Sequence, residues 1–216
     1  MVSIQDMQRS SIIILLMAII ATVHGSGFGK CPNYPSMPKF NLTKFLGTWY
    51  EVERSFYLPE LASGCTTLTF QNEIIAHTRD NGLPALQVDR IEVAVKSINQ
   101  WTGSASVSIG YVYPETKNSS IMDIKFLTRL PDVVARLIPG AGKYQVLYTD
   151  YKNFAILWSC SSIANLGYTD QIWLMARQRQ DFPLEIRTII HDALIRLGLE
   201  PDRLVLSKNT NCPATL

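Results

Sequence analysis

Gly47-Thr48-Trp49-Tyr50 opens the first predicted strand of the chain, and two later features accompany it. Thr149-Asp150-Tyr151 forms a predicted turn between two later strands, and Arg177 ends another strand. A β-barrel with a hollow interior needs a closed floor, and an Arg stacked on a Trp ring closes it with roughly 0.5–2 kcal/mol of cation–π attraction. The Asp of a tight turn can accept backbone N–H bonds at the same end. We therefore assign the barrel floor to Gly47, Trp49, Thr149, Asp150 and Arg177.

Short segments with a two-residue alternation of apolar and polar side chains occupy the chain between Gly47 and Arg177. Turn signals separate several of them, for example Asp80-Asn81-Gly82 and Asp150–Asn153. About eight short strands at near-regular spacing predict a sandwich or an up-and-down barrel. The segments are Cys65–Ile75, Val88–Val95, Ile121–Leu127, Lys143–Thr149, Phe154–Cys160 and Tyr168–Ala176, and Leu204–Leu206 could add a short final strand.

One amphipathic helix follows the strands. Its apolar residues fall on a single stripe, because their spacing repeats every three or four positions. We expect Asp181 to cap its start, Pro183 to occupy its first turn and Gly198 to end it. A lone helix of this kind has to lie against the outside of the sheet. The stripe consists of Ile186, Ile189, Ile190, Ala193, Leu194 and Leu197.

The first 25 residues are typical of a secretory signal peptide. Arg9 precedes an apolar run from Ile12 to Val23, and small residues stand at the −3 and −1 positions before Ser26. That run is shorter than the roughly 20 residues that a spanning helix needs. We expect a secreted, extracellular protein with a single domain over residues 26–216.

The cysteines and the glycosylation sequences agree with export. Four cysteines predict two disulfides with three possible pairings. A zinc site is excluded because the cysteines are scattered singly and only His77 and His191 remain after cleavage. Asn41-Leu42-Thr43 and Asn118-Ser119-Ser120 are acceptor sequences for N-glycosylation. The cysteines are Cys31, Cys65, Cys160 and Cys212.

Charge and motifs argue against two other classes of protein. The net charge is +2 with no basic cluster, so nothing in the sequence attracts nucleic acid. Gly-x-Ser-x-Gly, His-Glu-x-x-His and phosphate-loop motifs are absent from the sequence. We therefore expect no catalytic residues, no metal and no cofactor.

Taken together, the motifs resemble those of the lipocalin family. The order and spacing of these motifs are similar to those in the branch of the family that contains apolipoprotein D and the insect Lazarillo-type lipocalins. The similarity extends from Cys31 to Pro213. The resemblance implies an all-β fold, an eight-stranded antiparallel up-and-down barrel with one flanking C-terminal α-helix. It also implies the pairing Cys31–Cys160 and Cys65–Cys212. The matching stretches are Lys30-Cys31-Pro32, Leu46–Glu51, Thr149–Tyr151, Trp158-Ser159-Cys160, Leu174–Arg177 and Asn211-Cys212-Pro213.

An eight-stranded barrel has room for one small ligand. Counting back from Arg177, alternation directs Trp173 and Met175 inward, and Ile172, Leu174 and Ala176 outward toward the helix. The expected ligand-binding residues are Phe70, Phe126, Trp173, Met175, Leu68 and Ile124. The resemblance supports the roles of Phe70, Phe126 and Trp173. The alternative is that these side chains fill a packed core. Asp89 or Arg90 could supply a polar contact.

Two functions follow from these observations. The first is a secreted carrier of a small hydrophobic ligand of the lipid, retinoid, steroid, pheromone or tetrapyrrole class. The alternative is an extracellular interaction or signalling protein that engages a cell-surface receptor through its loops.

Three connections predicted at the mouth of the barrel are unusually apolar, namely Phe56–Leu61, Leu130–Pro139 and Ile163–Leu166. The second of these connections lies within the stretch from Arg129 to Gly142, which is longer than the resemblance leads us to expect. Such loops form either a contact site for a membrane or lipoprotein surface or a lid over the cavity.

Overall fold

Eight antiparallel strands close into a barrel in the computed structural model of the protein, as predicted. The structure describes residues 26–56, 61–77, 86–116, 119–128, 142–163 and 167–213. Each barrel strand pairs with the next, and the pairing of the first with the last closes the barrel. The strands are β2 (Gly47–Ser55), β3 (Ser63–His77), β4 (Leu86–Asn99), β5 (Ala105–Pro114), β6 (Ile121–Phe126), β7 (Gly142–Thr149), β8 (Phe154–Ile163) and β9 (Gly167–Ala176).

Five shorter or flanking elements complete the described chain. The N-terminal strand β1 (Ser26–Phe28) pairs with β9, and the C-terminal strand β10 (Leu204–Leu206) pairs with β2. A one-turn helix α1 (Leu42–Phe45) precedes β2. Helix α2 (Leu184–Arg196) and a 3-10 turn (Pro201–Arg203) follow β9. Among the described residues, no helix is long and apolar enough to cross a membrane.

Side-chain alternation on the strands gives the protein two separate cores. On β9, Trp173 and Met175 point into the barrel, whose interior we call the calyx. Ile172, Leu174 and Ala176 point outward and pack under α2. Each fully buried apolar side chain of this size contributes roughly 1.5–3 kcal/mol. The outer core therefore fixes the helix to the barrel, as the period of two in β9 predicted.

Helix α2 begins later than predicted. Its N-cap residue is Pro183, with no side-chain hydrogen bond, so the prediction that Asp181 caps the helix is wrong. Proline holds its own backbone extended at ψ 151° here, and the helix starts at the next residue. Gly198 ends the helix with φ +73°, as predicted. Ile189, which was assigned to the buried stripe, is 43% exposed.

Strand β5 was not among the segments that the sequence patterns singled out. Its apolar residues Val107 and Ile109 face outward and are exposed, whereas Ser106 and Ser108 face the calyx. This alternation is the reverse of the one that marks a strand on an apolar core. Gly110 is the next inward position after Ser108, and a Cβ there would lie 2.8 Å from the Lys125 carbonyl oxygen and 3.0 Å from Cδ1 of Phe126.

The chain before the barrel runs along its outer wall. A disulfide joins Cys31 to Cys160, and the ring of Tyr34 packs edge-on to Trp158 at 4.9 Å. Further along, the Met37 N–H donates to Oγ of Ser120 at 2.9 Å. These contacts attach the segment that precedes the barrel to the middle of β8 and to the start of β6.

The chain after α2 fills a gap in the barrel wall between β2 and β3. These two strands pair directly only near the start of β2, up to the pair Tyr50–Thr67. Above that point β10 lies beside β2, and the Cys65 N–H donates to the Lys208 carbonyl at 2.9 Å. The Cys65–Cys212 disulfide holds the end of this segment. All four cysteines are therefore paired, in the combination that the resemblance implied.

The barrel has a closed end, where β2 begins, and a mouth at the opposite end. Strands β2, β4, β6 and β8 end at the mouth, and β3, β5, β7 and β9 begin there. Most of the apolar mouth loops named from the sequence fall outside the described residues, and so do the predicted signal peptide and Asn118.

We predict that peptide mapping of the unreduced purified protein recovers one Cys31–Cys160 peptide and one Cys65–Cys212 peptide. The two Cα–Cα distances of 5.9 and 5.5 Å suit these bonds. Each bond should contribute about 2–4 kcal/mol by restricting the unfolded chain. A Cys31–Cys65 peptide, or a free thiol, would contradict the pairing.

Candidate functional site

The closed end of the barrel is built around the ring of Trp49. The guanidinium carbon of Arg177 lies 3.7 Å from the centroid of this ring. Phe45 stacks on Trp49 at 5.1 Å, and the indole N–H donates to the Phe45 carbonyl at 2.8 Å. The structure therefore brings the predicted floor residues Trp49 and Arg177 together, with α1 as the floor beneath the calyx.

The guanidinium of Arg177 also joins three chain segments by hydrogen bonds. Nε donates to the Tyr151 carbonyl at 3.1 Å, and Nη1 donates to the Thr48 carbonyl at 3.1 Å. Nη2 donates to Lys44 and Phe45, whose carbonyls lie at the end of α1, where no helical N–H follows. One side chain thus satisfies acceptors that would otherwise face water at the floor.

Gly47 is required where β2 approaches this guanidinium. Its φ is +99°, and a Cβ would lie 3.1 Å from Nη1 of Arg177. Any other residue would be strained in this backbone conformation and would crowd the arginine. The sequence placed Gly47 at the floor, and the structure gives the physical reason.

Asp150 organises the turn between β7 and β8. One carboxylate oxygen accepts the N–H groups of Lys152, Asn153 and Phe154 at 2.8–3.1 Å. Partial burial by itself raises the pKa of Asp150, but the N–H donors outweigh it, so the pKa lies below its ordinary value. The hydroxyl of Thr149 donates to the Phe154 carbonyl at 2.7 Å and completes the turn.

The six predicted ligand-binding residues all face the calyx, at different depths. Phe70, Ile124 and Met175 are buried in the inner core, and so are Leu68 and Trp173. Phe126 is half-buried and packs against this core. The lower calyx is therefore filled by its own side chains, and open surface begins above them.

Several calyx residues were missed by the sequence analysis. Tyr144 stacks on Trp173 at 5.6 Å, so the two rings form one aromatic wall. The alternation of β7 could have identified Tyr144 and Val146, since both face inward with one residue between them. The other missed inward residues of the inner core are Val93, Val112, Met122, Ala155 and Leu157.

Two charged residues of β2 face the calyx as a pair. Glu51 is 1% exposed and pairs across the sheet with Met175, while Arg54 is 7% exposed and pairs with Trp173. Nη1 of Arg54 donates to Oε1 of Glu51 at 2.8 Å, and Oγ of Ser207 donates to the same oxygen. Burial raises the pKa of the Glu51 carboxyl, against the opposing influence of Arg54 and the Ser207 hydrogen bond.

Other candidate polar residues lie elsewhere. Arg90 is on the outer face, with its guanidinium 3.6 Å from the Tyr111 ring centroid, so its predicted role in the calyx is wrong. The side chain of Asp89 lies outside the described residues. The described residues contain no cluster of three or more potential metal ligands.

Asn41 occupies an ordered position near the floor. Its side-chain oxygen accepts the Lys44 N–H at 3.0 Å and caps α1, and its own N–H donates to the Tyr151 hydroxyl at 2.9 Å. The residue is exposed, and its glycosylation stays a prediction.

Comparison with known sequences gives a consistent set of relatives. Apolipoprotein D of Cavia porcellus is 29% identical over 206 residues, which cover 92% of this chain and 94% of that protein. The Lazarillo protein of Schistocerca americana is 23% identical over 172 residues, covering 79% of this chain and 70% of that protein. A family model described as Triabin matches residues 141–188.

Solved structures share the fold. Insecticyanin from the tobacco hornworm Manduca sexta superposes with a TM-score of 0.63 and 16% identity, over 86% of this chain and 89% of that one. The amine-binding protein of Rhodnius prolixus gives a TM-score of 0.57 and 17% identity, over 84% and 86%. The barrel, its closed end and these relatives support the resemblance to the lipocalin family that the motifs predicted. The sequence relatives, apolipoprotein D and the Lazarillo protein, are those that the motifs predicted.

We predict that Asp150→Ala lowers the free energy of unfolding by about 1–2 kcal/mol at pH 7, because three N–H groups lose a charged acceptor. The lowered pKa means that ionised Asp150 stabilises the fold above its unfolded-state pKa. This contribution is lost as the pH falls through the lowered, folded-state value. Urea unfolding at pH 7 and near pH 3 measures the difference.

Asp150→Asn is the matched control, since its amide oxygen still accepts N–H bonds. We expect it to lose less stability than Asp150→Ala at pH 7. An alanine effect that is equally large at both pH values would show that the carboxylate charge does not matter.

Proposed function

We propose that the protein is a secreted carrier that holds a small hydrophobic ligand in the calyx. The observation that carries this proposal is the calyx itself, closed by Trp49 and Arg177 and lined with apolar side chains above the floor. Phe126 and Val95 face inward and yet keep accessible surface. Apolar surface of this kind is suited to an apolar ligand that enters from the mouth.

A structural neighbour supports a binding role. The amine-binding protein of Rhodnius prolixus, which shares the fold, was solved as a tryptamine complex. The signal-like residues 1–25 and the two disulfides support secretion.

We also propose that the protein is not an enzyme. Its four cysteines are consumed by disulfides, so none supplies a nucleophilic thiol. His191 lies on α2, outside the barrel, and His77 is the last residue of β3.

We predict that organic extraction of the purified secreted protein releases a small apolar molecule that mass spectrometry identifies. Added back to the delipidated protein, this molecule should quench the fluorescence of Trp173, whose ring faces the calyx. Trp173→Phe should remove most of the quenching. Both measurements are best made in protein that also carries Trp101→Phe, because exposed Trp101 adds fluorescence that is unrelated to the ligand.

Trp158→Phe is the matched control for this experiment. Trp158 is as buried as Trp173 but belongs to the outer core, so its loss should leave the quenching intact. Quenching that survives in Trp173→Phe would place the ligand elsewhere. An empty extract and no quenching by any apolar ligand would favour the alternative, an interaction protein that engages a receptor through its loops.

A second function is favoured by the outer rim of the mouth. Trp101 is 72% exposed in the turn between β4 and β5, where the Asn99 side chain accepts its N–H at 2.9 Å. Leu127 is 63% exposed directly after the end of β6, and its N–H donates to the Ile109 carbonyl. Exposed Val107 completes a rim patch. We propose that this rim patch docks the mouth onto a membrane or lipoprotein surface, where ligand is exchanged.

We predict that Trp101→Ser combined with Leu127→Ser reduces binding to phospholipid vesicles severalfold in flotation assays, while ligand affinity in free solution changes little. Leu184→Ser is the control, since Leu184 is 80% exposed on α2, which packs on the outside of the barrel wall and is not part of the rim patch. If vesicle binding is absent and ligand affinity falls instead, the rim belongs to a lid.

A further inference from the structure

The polarity of the calyx changes from its floor to its mouth. In antiparallel strands, residues that pair directly project from the same face, so the register identifies the inward positions. Near the floor these positions are apolar, for example Val93, Val112 and Val146. Near the mouth they carry hydroxyl and amide groups. We call the latter positions the upper calyx, which consists of Ser97, Ser106, Ser108, Ser159, Ser161, Thr169 and Gln171.

One wall of the upper calyx is formed by β4 and β5. Ser97 pairs with Ser106, and their hydroxyl oxygens lie 3.0 Å apart. Ser108 pairs with Val95, which belongs to the inward-facing set, so Ser108 also faces the calyx. Ser106 and Ser108 are both exposed, and this wall is therefore open to a ligand.

The opposite wall is formed by β8 and β9. Ser159 pairs with Gln171 and also with Tyr144, whose ring belongs to the inner core. The next inward pair toward the mouth is Ser161 with Thr169. This wall therefore also presents uncharged hydrogen-bonding groups, just above the stacked rings of Tyr144 and Trp173.

Charge inside the barrel is internally balanced. Among the described residues, the charged side chains that face the calyx are Glu51 and Arg54, and they bond to each other at 2.8 Å. Charged neighbours on the other strands, such as Lys96 and Lys125, project outward. Against the described walls of the calyx, a charged ligand head group would thus lose its hydration without gaining an opposite charge that is not already paired.

We infer that the calyx selects amphipathic ligands whose polar end is uncharged, a hydroxyl or carbonyl group, and that this end lies toward the mouth among the upper-calyx hydroxyls. The inference rests on the proposed carrier function and deepens it. Carboxylates and amines that carry the same apolar chain are expected to bind more weakly. Hydroxyl side chains can donate and accept, so they can bond either an alcohol or a carbonyl oxygen.

The test compares dodecanol, dodecanoic acid and dodecylamine as competitors of a fluorescent apolar probe at pH 7.4, with delipidated full-length secreted protein. The three share one chain, so the head group alone differs. We expect dodecanol to bind about tenfold tighter than either charged analogue, which corresponds to about 1.4 kcal/mol. Equal or tighter binding of the acid or the amine overturns the inference. Failure of the probe and all three compounds to bind contradicts the carrier function itself.

Charge substitutions at Ser108 provide a second test of the inference. Ser108→Asp should shift the preference toward dodecylamine, and Ser108→Lys should shift it toward dodecanoic acid, because each gives the calyx an unpaired charge. Ser162→Asp is the matched control, since Ser162 pairs with Tyr168 on the outer face of the same barrel and is exposed. It should keep the wild-type order. Unchanged preferences in both Ser108 variants would show that the head group does not lie in the upper calyx.

Discussion

The guanidinium of Arg177 is the contact on which the closed end of the barrel depends. It covers the face of Trp49 and, at the same time, donates to carbonyls of α1, β2 and the turn after β7. A planar group with five donors can make these bonds at once, whereas a lysine ammonium could not reproduce their fork geometry. Because β2 and β9 are the strands that close the barrel, this residue joins the closure to the floor.

The wall of the barrel is completed by chain from both ends of the sequence. Regular alternation would put Glu51 and Glu53 on one face of β2, but a bulge between them directs Glu51 into the calyx and Glu53 outward to Arg187 of α2 at 2.7 Å. Beyond the end of the β2–β3 pairing, the C-terminal segment supplies the missing backbone partners, and Asn209 donates to the Glu51 carbonyl at 2.6 Å. A buried wall cannot leave such groups unpaired, so the tail is part of the barrel.

The calyx has an apolar floor and an uncharged polar mouth. It therefore differs from a cavity that is apolar throughout. A filled lower half gives the barrel its stability, because Phe70, Met175 and their neighbours pack against one another. The upper half keeps accessible surface and hydrogen-bonding groups. A ligand that matches both parts would satisfy the serine hydroxyls while burying its apolar body.

Local patterns in the sequence determined most of the architecture. The alternation of β9 placed Trp173 inside and Leu174 outside, and Gly198 marked the end of α2. These features depend on the residue itself and its immediate neighbours, so a sequence can display them. The floor could be assigned because Trp49 and Arg177 stand at recognisable positions in a family pattern.

Tertiary structure alone decided three other features. Strand β5 carries exposed Val107 and inward Ser108, and only its neighbours on both sides make it a barrel strand. The charge pair of Glu51 with Arg54 depends on a bulge, since strict alternation would have put residues 51 and 54 on opposite faces. The bond from Ser207 to Glu51 joins positions 156 residues apart. Contacts of that range are set by the closure of the barrel, and no local period in the sequence records which strands meet.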